Sequence, residues 1–357
     1  MSKAIKIGRR RVGPGCPCLI IAEAGVNHNG DMELAKRMVR EAKHSGAECV
    51  KFQTFRADRV VSQDAPKAAY QRRTTDPAES QFEMLKKLEL SPAAHQVLAE
   101  ECIEQGVEFL STPYGFEEVD LLDELGVPAF KIASAQIIEL PFLGYVAAKS
   151  KPVLLSTGMA TLGEVEEAVE AIRAAGNHQI VLLQCTTNYP SAHEDAHLRS
   201  MKTMRRAFDA LVGYSDHTVG PAAPVAAVAL GAVVVEKHFT IDKTLPGPDQ
   251  SSSAEPAEFA QMTHLIREAQ AALGGACKRP SAAETENVHT MRRSLMASRD
   301  IPAGHVITTD MLICKRPASG LPPKWMSQVV GLRTAREILA DTPLTLDSID
   351  WRGVTTA

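Results

Sequence analysis

The apolar positions of the chain fall into eight short runs, 19–25, 49–55, 108–114, 129–134, 153–159, 180–186, 211–217 and 233–239, each closed by a polar cluster. Their length and their content of Val, Ile, Leu and Phe predict strands. Between them the spacing changes to that of a helix. Residues 32–45 place Ala35, Met38, Val39 and Ala42 on one face, and 163–175 do the same with Val165, Ala168, Val169 and Ile172. Strand and helix alternate eight times, which is the count of a closed (β/α)8 TIM barrel of the α/β class.

A barrel enzyme builds its site where the strands finish. Here the strand ends carry, in order, Glu23 and Asn27; Lys51 and Gln53; Ser111 and Thr112; Lys131 and Ser134; Ser156 and Thr157; Thr186 and Thr187; Ser215, Asp216 and His217; Glu236 and His238. Ser, Thr and Asp are ordinary strand-ending and capping groups. Two Lys and two His at the ends of nearly buried strands are not. Lys51 and Lys131, with Thr112, Ser134, Ser156 and Ser215, can ring a phosphate or carboxylate. A buried Lys otherwise needs an acid, and the strand ends offer few beyond Glu23, Asp216 and Glu236. A Schiff-base lysine is the competing reading. His217 and His238 end neighbouring strands and suggest a divalent metal with positions open to substrate and water; the other reading is one general base and one core histidine. Glu23 is a candidate general base or water-orienting group. Cys185 has no His beside it along the chain and reads as packing.

Composition narrows the class. A net charge of -4 gives no general pull toward nucleic acid, and 45% apolar with 23% charged residues describes an ordinary globular protein. No apolar run reaches the roughly 18 residues of a membrane span, and the start runs into Arg9-Arg10-Arg11 without a signal core, so a cytoplasmic location and no membrane partner are expected. Seven cysteines, at Cys16, Cys18, Cys49, Cys102, Cys185, Cys277 and Cys314, fit a reducing compartment. Cys16 and Cys18 have no second pair with which to hold structural zinc.

From Gly274 the chain turns to Gly274-Gly275-Ala276-Cys277-Lys278-Arg279-Pro280 and then polar residues, which reads as a linker. The expected division is a barrel over 1–273, a linker over 274–291 and a small β-rich domain over 292–357. That tail holds an internal echo: Ile301-Pro302-Ala303-Gly304, with Asp310-Met311-Leu312, recurs as Ile338-Leu339-Ala340-Asp341, with Asp347-Ser348-Ile349.

Several motifs resemble one family. They are Ile21-Ala22-Glu23-Ala24-Gly25-Val26-Asn27-His28-Asn29-Gly30-Asp31, Val50-Lys51-Phe52-Gln53-Thr54, Leu110-Ser111-Thr112-Pro113, Phe130-Lys131-Ile132-Ala133-Ser134, Leu155-Ser156-Thr157-Gly158-Met159, Gly213-Tyr214-Ser215-Asp216-His217-Thr218, Glu236-Lys237-His238-Phe239-Thr240 and Gly247-Pro248-Asp249. Over nearly the whole chain the series resembles the sialic acid synthases, with the legionaminic and pseudaminic acid synthases. The tail, with Lys315-Arg316-Pro317, is similar to the antifreeze-like (SAF) domain that ends these enzymes.

The resemblance implies a condensation of phosphoenolpyruvate with N-acetylmannosamine or a related amino-sugar aldehyde, releasing phosphate and forming a nonulosonic acid. Carried over by motif, Lys51, Thr112, Lys131, Ser134, Ser156, Thr187 and Ser215 would hold phosphoenolpyruvate, and His217 and His238 a Mn²⁺ or Mg²⁺. Glu23, Gln53, Tyr189 and Asp249 would face the sugar. Arg316 would reach into the barrel of a partner chain, which implies a domain-swapped homodimer. Gln136 stands at a substrate position where sialic acid synthases usually carry an acid. The segment Tyr70-Gln71-Arg72-Arg73-Thr74-Thr75 looks more like the legionaminic-type members. A pseudaminic acid or spore-coat sugar synthase is the alternative within the family. A synthase of seven- or eight-carbon keto acids would need a second phosphate site, for which only the loop pair Arg72 and Arg73 stands near. A non-catalytic carbohydrate-binding protein would have no use for the strand-end Lys and His.

Overall fold

The computed structural model describes residues 3–68, 71–76 and 78–353. Tyr70 lies outside the described residues, as does the side chain of Arg73. The chain divides into two compact units, Met1–Gly274 and Gly275–Ala357.

The first unit opens with an antiparallel hairpin, β1 (Ile5–Ile7) and β2 (Arg10–Val12). Eight parallel strands come next: β3 (Leu19–Gly25), β4 (Cys49–Thr54), β5 (Glu108–Pro113), β6 (Phe130–Ile132), β7 (Val153–Ser156), β8 (Ile180–Cys185), β9 (Leu211–Asp216) and β10 (Val234–His238). They form one sheet in the order β5-β4-β3-β10-β9-β8-β7-β6. The last strand returns beside the first, with Val234 opposite Leu19 and His238 opposite Glu23, so the sheet curls into a nearly closed barrel. This is the eight-stranded TIM-like architecture that the repeat predicts. Two strands stop two or three residues short of their apolar runs: β6 ends at Ile132, before a 3-10 turn over Ser134–Gln136, and β7 ends at Ser156, with Met159 beyond it at a φ of 65°.

Side-chain alternation sorts the strands into two layers. Inside the barrel, Leu19, Ile21, Cys49, Leu110, Leu154, Leu183, Leu211 and Val234 pack on one another and on Ile7 and Val12 of the hairpin. Outside it, Ile20, Val50, Phe109, Leu155, Leu182, Val212 and Val235 pack against the helices. Each such buried side chain contributes about 1.5–3 kcal/mol. Gly213 faces inward where a Cβ would lie 2.6 Å from both Leu183 Cδ2 and the Val234 carbonyl oxygen, so no larger residue fits.

The helices start where local chemistry dictates. Asp31 caps Met32–His44 by accepting from the amides of Glu33 and Leu34, and Thr161 with Glu164 forms a capping box on Leu162–Ala174. The buried faces are those the spacing implies: Ala35, Met38, Val39 and Ala42 in one, Val165, Ala168, Val169 and Ile172 in the other.

The second unit pairs Ser294–Ala297 with Leu312–Lys315 and Arg333–Thr334 with Ile349–Asp350, all antiparallel. The internal echo has a structural meaning, because the two copies meet through equivalent residues. Ile301 and Ile338 exchange both backbone hydrogen bonds, at 2.8 and 2.9 Å. The span 274–291 is not featureless: it contains a 3-10 turn, Ala282–Glu284, and a short helix, Thr285–Met291.

Candidate active site

The inward series that is apolar low in the barrel turns polar at the carboxyl ends of the strands. Leu19 and Ile21 are followed by Glu23, Cys49 by Lys51 and Gln53, Leu110 by Thr112, Leu154 by Ser156, Leu211 by Ser215, and Val234 by Glu236 and His238. These polar groups line a cavity of about 720 Å³, which is a size for a small-molecule substrate. Their neighbours along the strands turn the other way. Ser111 shares a hydrogen bond with Thr54, Thr157 donates to the Leu183 carbonyl, Thr186 to the Asp195 carbonyl and Asn27 to the Phe239 carbonyl, while Asp216 pairs with Lys237. The strand-end residues of the sequence therefore divide: these five turn away, and the other twelve line the cavity.

Lys51 and Lys131 are both buried and both paired. Lys51 Nζ lies 2.5 Å from Glu23 Oε2 and 3.8 Å from Glu236 Oε2, and it donates to Thr112 Oγ1 at 3.0 Å. Lys131 Nζ is 3.4 Å from Glu236 Oε1, which also accepts from Ser215 Oγ at 3.1 Å. Gln53 donates to the other Glu23 oxygen at 3.1 Å. Burial opposes the charge on all four groups, but not to the same effect. For Glu236 it is outweighed by Lys131 and Lys51, so that carboxyl stays below its usual range. For Lys51 it is outweighed by Glu23 and Glu236, and the ammonium is held above its usual range. For Glu23 and Lys131 burial wins, raising the carboxyl and lowering the amine. The quartet is nearly charge-balanced rather than a ring of bare cations. The sequence reading named Glu236 only as one possible acid for a buried Lys; its spacing from His238 puts the two on one face.

Across the cavity the imidazoles of His217 and His238 have ring centroids 5.3 Å apart, with the Tyr189 ring 4.1 Å from the first and 5.5 Å from the second. His217 Nδ1 is 2.7 Å from the Thr186 carbonyl oxygen. A carbonyl only accepts, so Nδ1 carries the proton and Nε2 keeps a free lone pair in the neutral ring. His238 Nδ1 is buried without a hydrogen-bond partner and lies 3.9 Å from Asp249 Oδ2. Burial, with His217 adding to it, holds His238 well below the usual histidine range, and burial raises Asp249 to about 6. Among the described residues no group of three or more His, Cys, Asp or Glu is arranged to enclose a metal.

Cys185 corrects the sequence reading. It packs in a strand, but the fold brings His217 Nδ1 to 3.9 Å from its sulfur, and it lines the cavity. Chain distance hid the pair, since β8 and β9 are neighbours only in space.

Gln53, Ser134, Thr187, Tyr189 and Asp249 also line the cavity. Ser134 Oγ accepts from the Gly158 amide at 3.0 Å, and a Cβ on Gly158 would collide with Thr187 Oγ1 at 2.3 Å. The segment after β4 contributes Val61, Ala68, Gln71, Gln81 and Leu85, none of which the strand-end pattern could have found. Arg72 is exposed on a helical turn, Gln71–Thr74, rather than in an open loop. Gln136 does not line the cavity. It is 3% exposed, and neither amide atom has a partner. Arg316 is exposed in the second unit.

The NeuB family matches residues 38–278 and the SAF domain residues 292–350. The N,N'-diacetyllegionaminic acid synthase of Legionella pneumophila is 44% identical over 342 residues, 95% of this chain and 96% of that one. Its counterpart in Campylobacter jejuni is 46% identical over 315 residues, 88% of this chain and 94% of that one. The crystal structure of the N-acetylneuraminic acid synthetase of Leptospira borgpetersenii, in complex with citrate, superposes with a TM-score of 0.72 at 33% identity, covering 81% of this chain and 96% of that one. Likeness of this degree, over a barrel whose inner strand ends carry the motif residues, places the chain: it belongs to the NeuB family and ends in a SAF domain.

Proposed function

We propose that this protein condenses phosphoenolpyruvate with a diacetamido-trideoxyhexose aldehyde, releasing phosphate and forming a nonulosonic acid of the legionaminic type. The observation that carries the reading is the meeting, in one cavity, of the Lys51–Lys131–Glu23–Glu236 quartet with the His217–His238 pair. The sugar is chosen because the two relatives named as legionaminic acid synthases are 44% and 46% identical to this chain over the 342 and 315 aligned residues.

In this reading Lys51 and Lys131 take the phosphate and carboxylate, with Thr112, Ser134, Ser156, Thr187 and Ser215 donating from their hydroxyls. Burial lowers Lys131, and an arriving dianion favours its protonated form. Glu23, Gln53, Tyr189 and Asp249 face the sugar. The enol carbon of phosphoenolpyruvate attacks the aldehyde carbon, water adds to the neighbouring carbon, and the resulting tetrahedral centre collapses by breaking its C–O bond to phosphate. Glu23 is raised by burial and so is suited to hold or pass the proton of that water. Glu236 keeps the two ammonium groups apart and oriented.

The donor set fits a divalent cation. Two adjacent imidazoles, one with its Nε2 lone pair free and one with an unpartnered buried nitrogen, form an open two-histidine site that substrate and water oxygens would complete. When bound there, Mn²⁺ or Mg²⁺ supplies Lewis acidity at the sugar aldehyde. Arg316 serves the site of a second copy, in a domain-swapped homodimer.

Phosphate release from phosphoenolpyruvate, measured against N-acetylmannosamine, its 6-phosphate and diacetamido-trideoxyhexoses of both configurations, tests the reading. The highest kcat/KM is expected with the manno-configured diacetamido sugar. A preference for N-acetylmannosamine overturns the choice of sugar, and release with none of them overturns the activity.

A further inference from the structure

Strand alternation leaves one pair of charges on the far side of the barrel wall. Asp216 and Lys237 lie opposite each other on β9 and β10 and point away from the cavity, into the layer where Val212, Tyr214 and Val235 pack against helices. Their side chains are 0% and 6% exposed. Lys237 Nζ donates to Asp216 Oδ2 and, at 2.6 Å, to the Thr218 carbonyl oxygen. Asp216 Oδ1 accepts from the Thr218 amide at 2.9 Å and from its hydroxyl at 2.8 Å.

The chain positions give this cluster its meaning. Asp216 and Thr218 flank His217, and Lys237 is flanked by Glu236 and His238. One ammonium thus grips both neighbours of the first imidazole while being the neighbour of the second. β9 ends at Asp216; just beyond it the His217 carbonyl accepts from the Ser191 amide at 2.8 Å and its Nδ1 meets the Thr186 carbonyl, and the clamp ties down the residues on both sides of the histidine. A buried ion pair in an apolar layer is seldom more stabilising than apolar side chains of the same volume. Its contribution is therefore to be sought in geometry.

We infer that Lys237, Asp216 and Thr218 form a clamp that sets the spacing of His217 and His238 for a divalent cation, and that Lys237 and Asp216 are positioning residues of the site. The inference rests on the proposed two-histidine metal site. The cation needs both nitrogens within one coordination sphere, and a clamp behind the wall fixes their separation without entering the cavity.

The test is Mn²⁺ binding to metal-stripped full-length protein, tracked by the electron paramagnetic resonance signal of free Mn²⁺ with no substrate present. Lys237→Met and Asp216→Asn are expected to weaken Mn²⁺ binding about 10–100-fold each. The double variant is expected to do the same while still melting cooperatively, since no unpaired charge remains in it. A merely structural pair would lower the melting temperature and leave the Mn²⁺ affinity of the folded variants within about twofold of the parent; that result overturns the clamp. His217→Ala separates the two readings. If the parent takes up no Mn²⁺, or His217→Ala takes it up as well as the parent, the metal reading falls and the clamp with it.

Discussion

Lys51 Nζ stands 2.5 Å from Glu23 Oε2 at the floor of the cavity, and both side chains are 2% exposed. Removing one member strands the other in a medium that disfavours charge. Lys51→Met should lower unfolding stability by about 3 kcal/mol, the low end for a broken buried pair, because Glu23 can relieve itself by taking up a proton. Turnover should be lost as well. Glu23→Gln keeps an oxygen for Lys51 and should cost less. Urea denaturation of the two variants compares them, and equal stability of Lys51→Met and the parent would contradict the pairing.

His217→Ala and His238→Ala should each abolish phosphate release while leaving the thermal transition cooperative, since both rings face the cavity rather than the strand–helix core. Exhaustive chelation of the parent should have the same effect, reversed by Mn²⁺ or Mg²⁺. Full activity of either variant, or of the chelated parent, would sink the metal reading.

Acid should weaken the fold through His28. The ring is fully buried, and burial, with His95 adding to it, lowers it to about 4. It is neutral in the fold, so its contribution is complete above about pH 6.5, where the unfolded chain is neutral too. As pH falls from about 6.5 toward 4 only the unfolded state gains a proton, and about 3 kcal/mol is lost across that window. His28→Gln should remove that share of the slope. His238 and His95, lowered by burial in the same way, should leave a residual slope, so the test is the difference between His28→Gln and the parent. An unchanged profile would show that His28 is not held neutral.

Phosphate should leave by C–O scission. Turnover in ¹⁸O-labelled water should then give unlabelled phosphate and a labelled product, as read by mass spectrometry. Label in the phosphate would mean attack at phosphorus and a different chemistry.

Completion of the site in trans by Arg316 predicts complementation. Arg316→Ala and His217→Ala chains, each inactive alone, should regain activity when mixed and allowed to exchange, because some sites then join an intact barrel to an intact tail. A mixture that forms heterodimers and stays inactive would rule out the exchange. Arg316→Lys should not rescue, since an ammonium lacks the planar fork of a guanidinium.

The sequence alone determined the barrel and most of its polar mouth. Eight apolar runs with helices between them leave few other ways to bury both faces of a parallel sheet, and the polar clusters that close those runs put Glu23, Lys51, Lys131, His217 and His238 at the strand ends. The tertiary structure decided which partners those groups have. The pairing of Lys51 with Glu23, of Lys131 with Glu236 and of Cys185 with His217 joins residues on different strands, whose approach depends on register across the closed sheet. It also decided that Asp216 and Lys237, one residue away from the cavity series, turn outward and lock to each other, and that Gln71 and Gln81, from a segment with no strand pattern, reach the mouth. A chain records the order of side chains and their local period, but a charge's neighbours across strands are set only when the sheet closes.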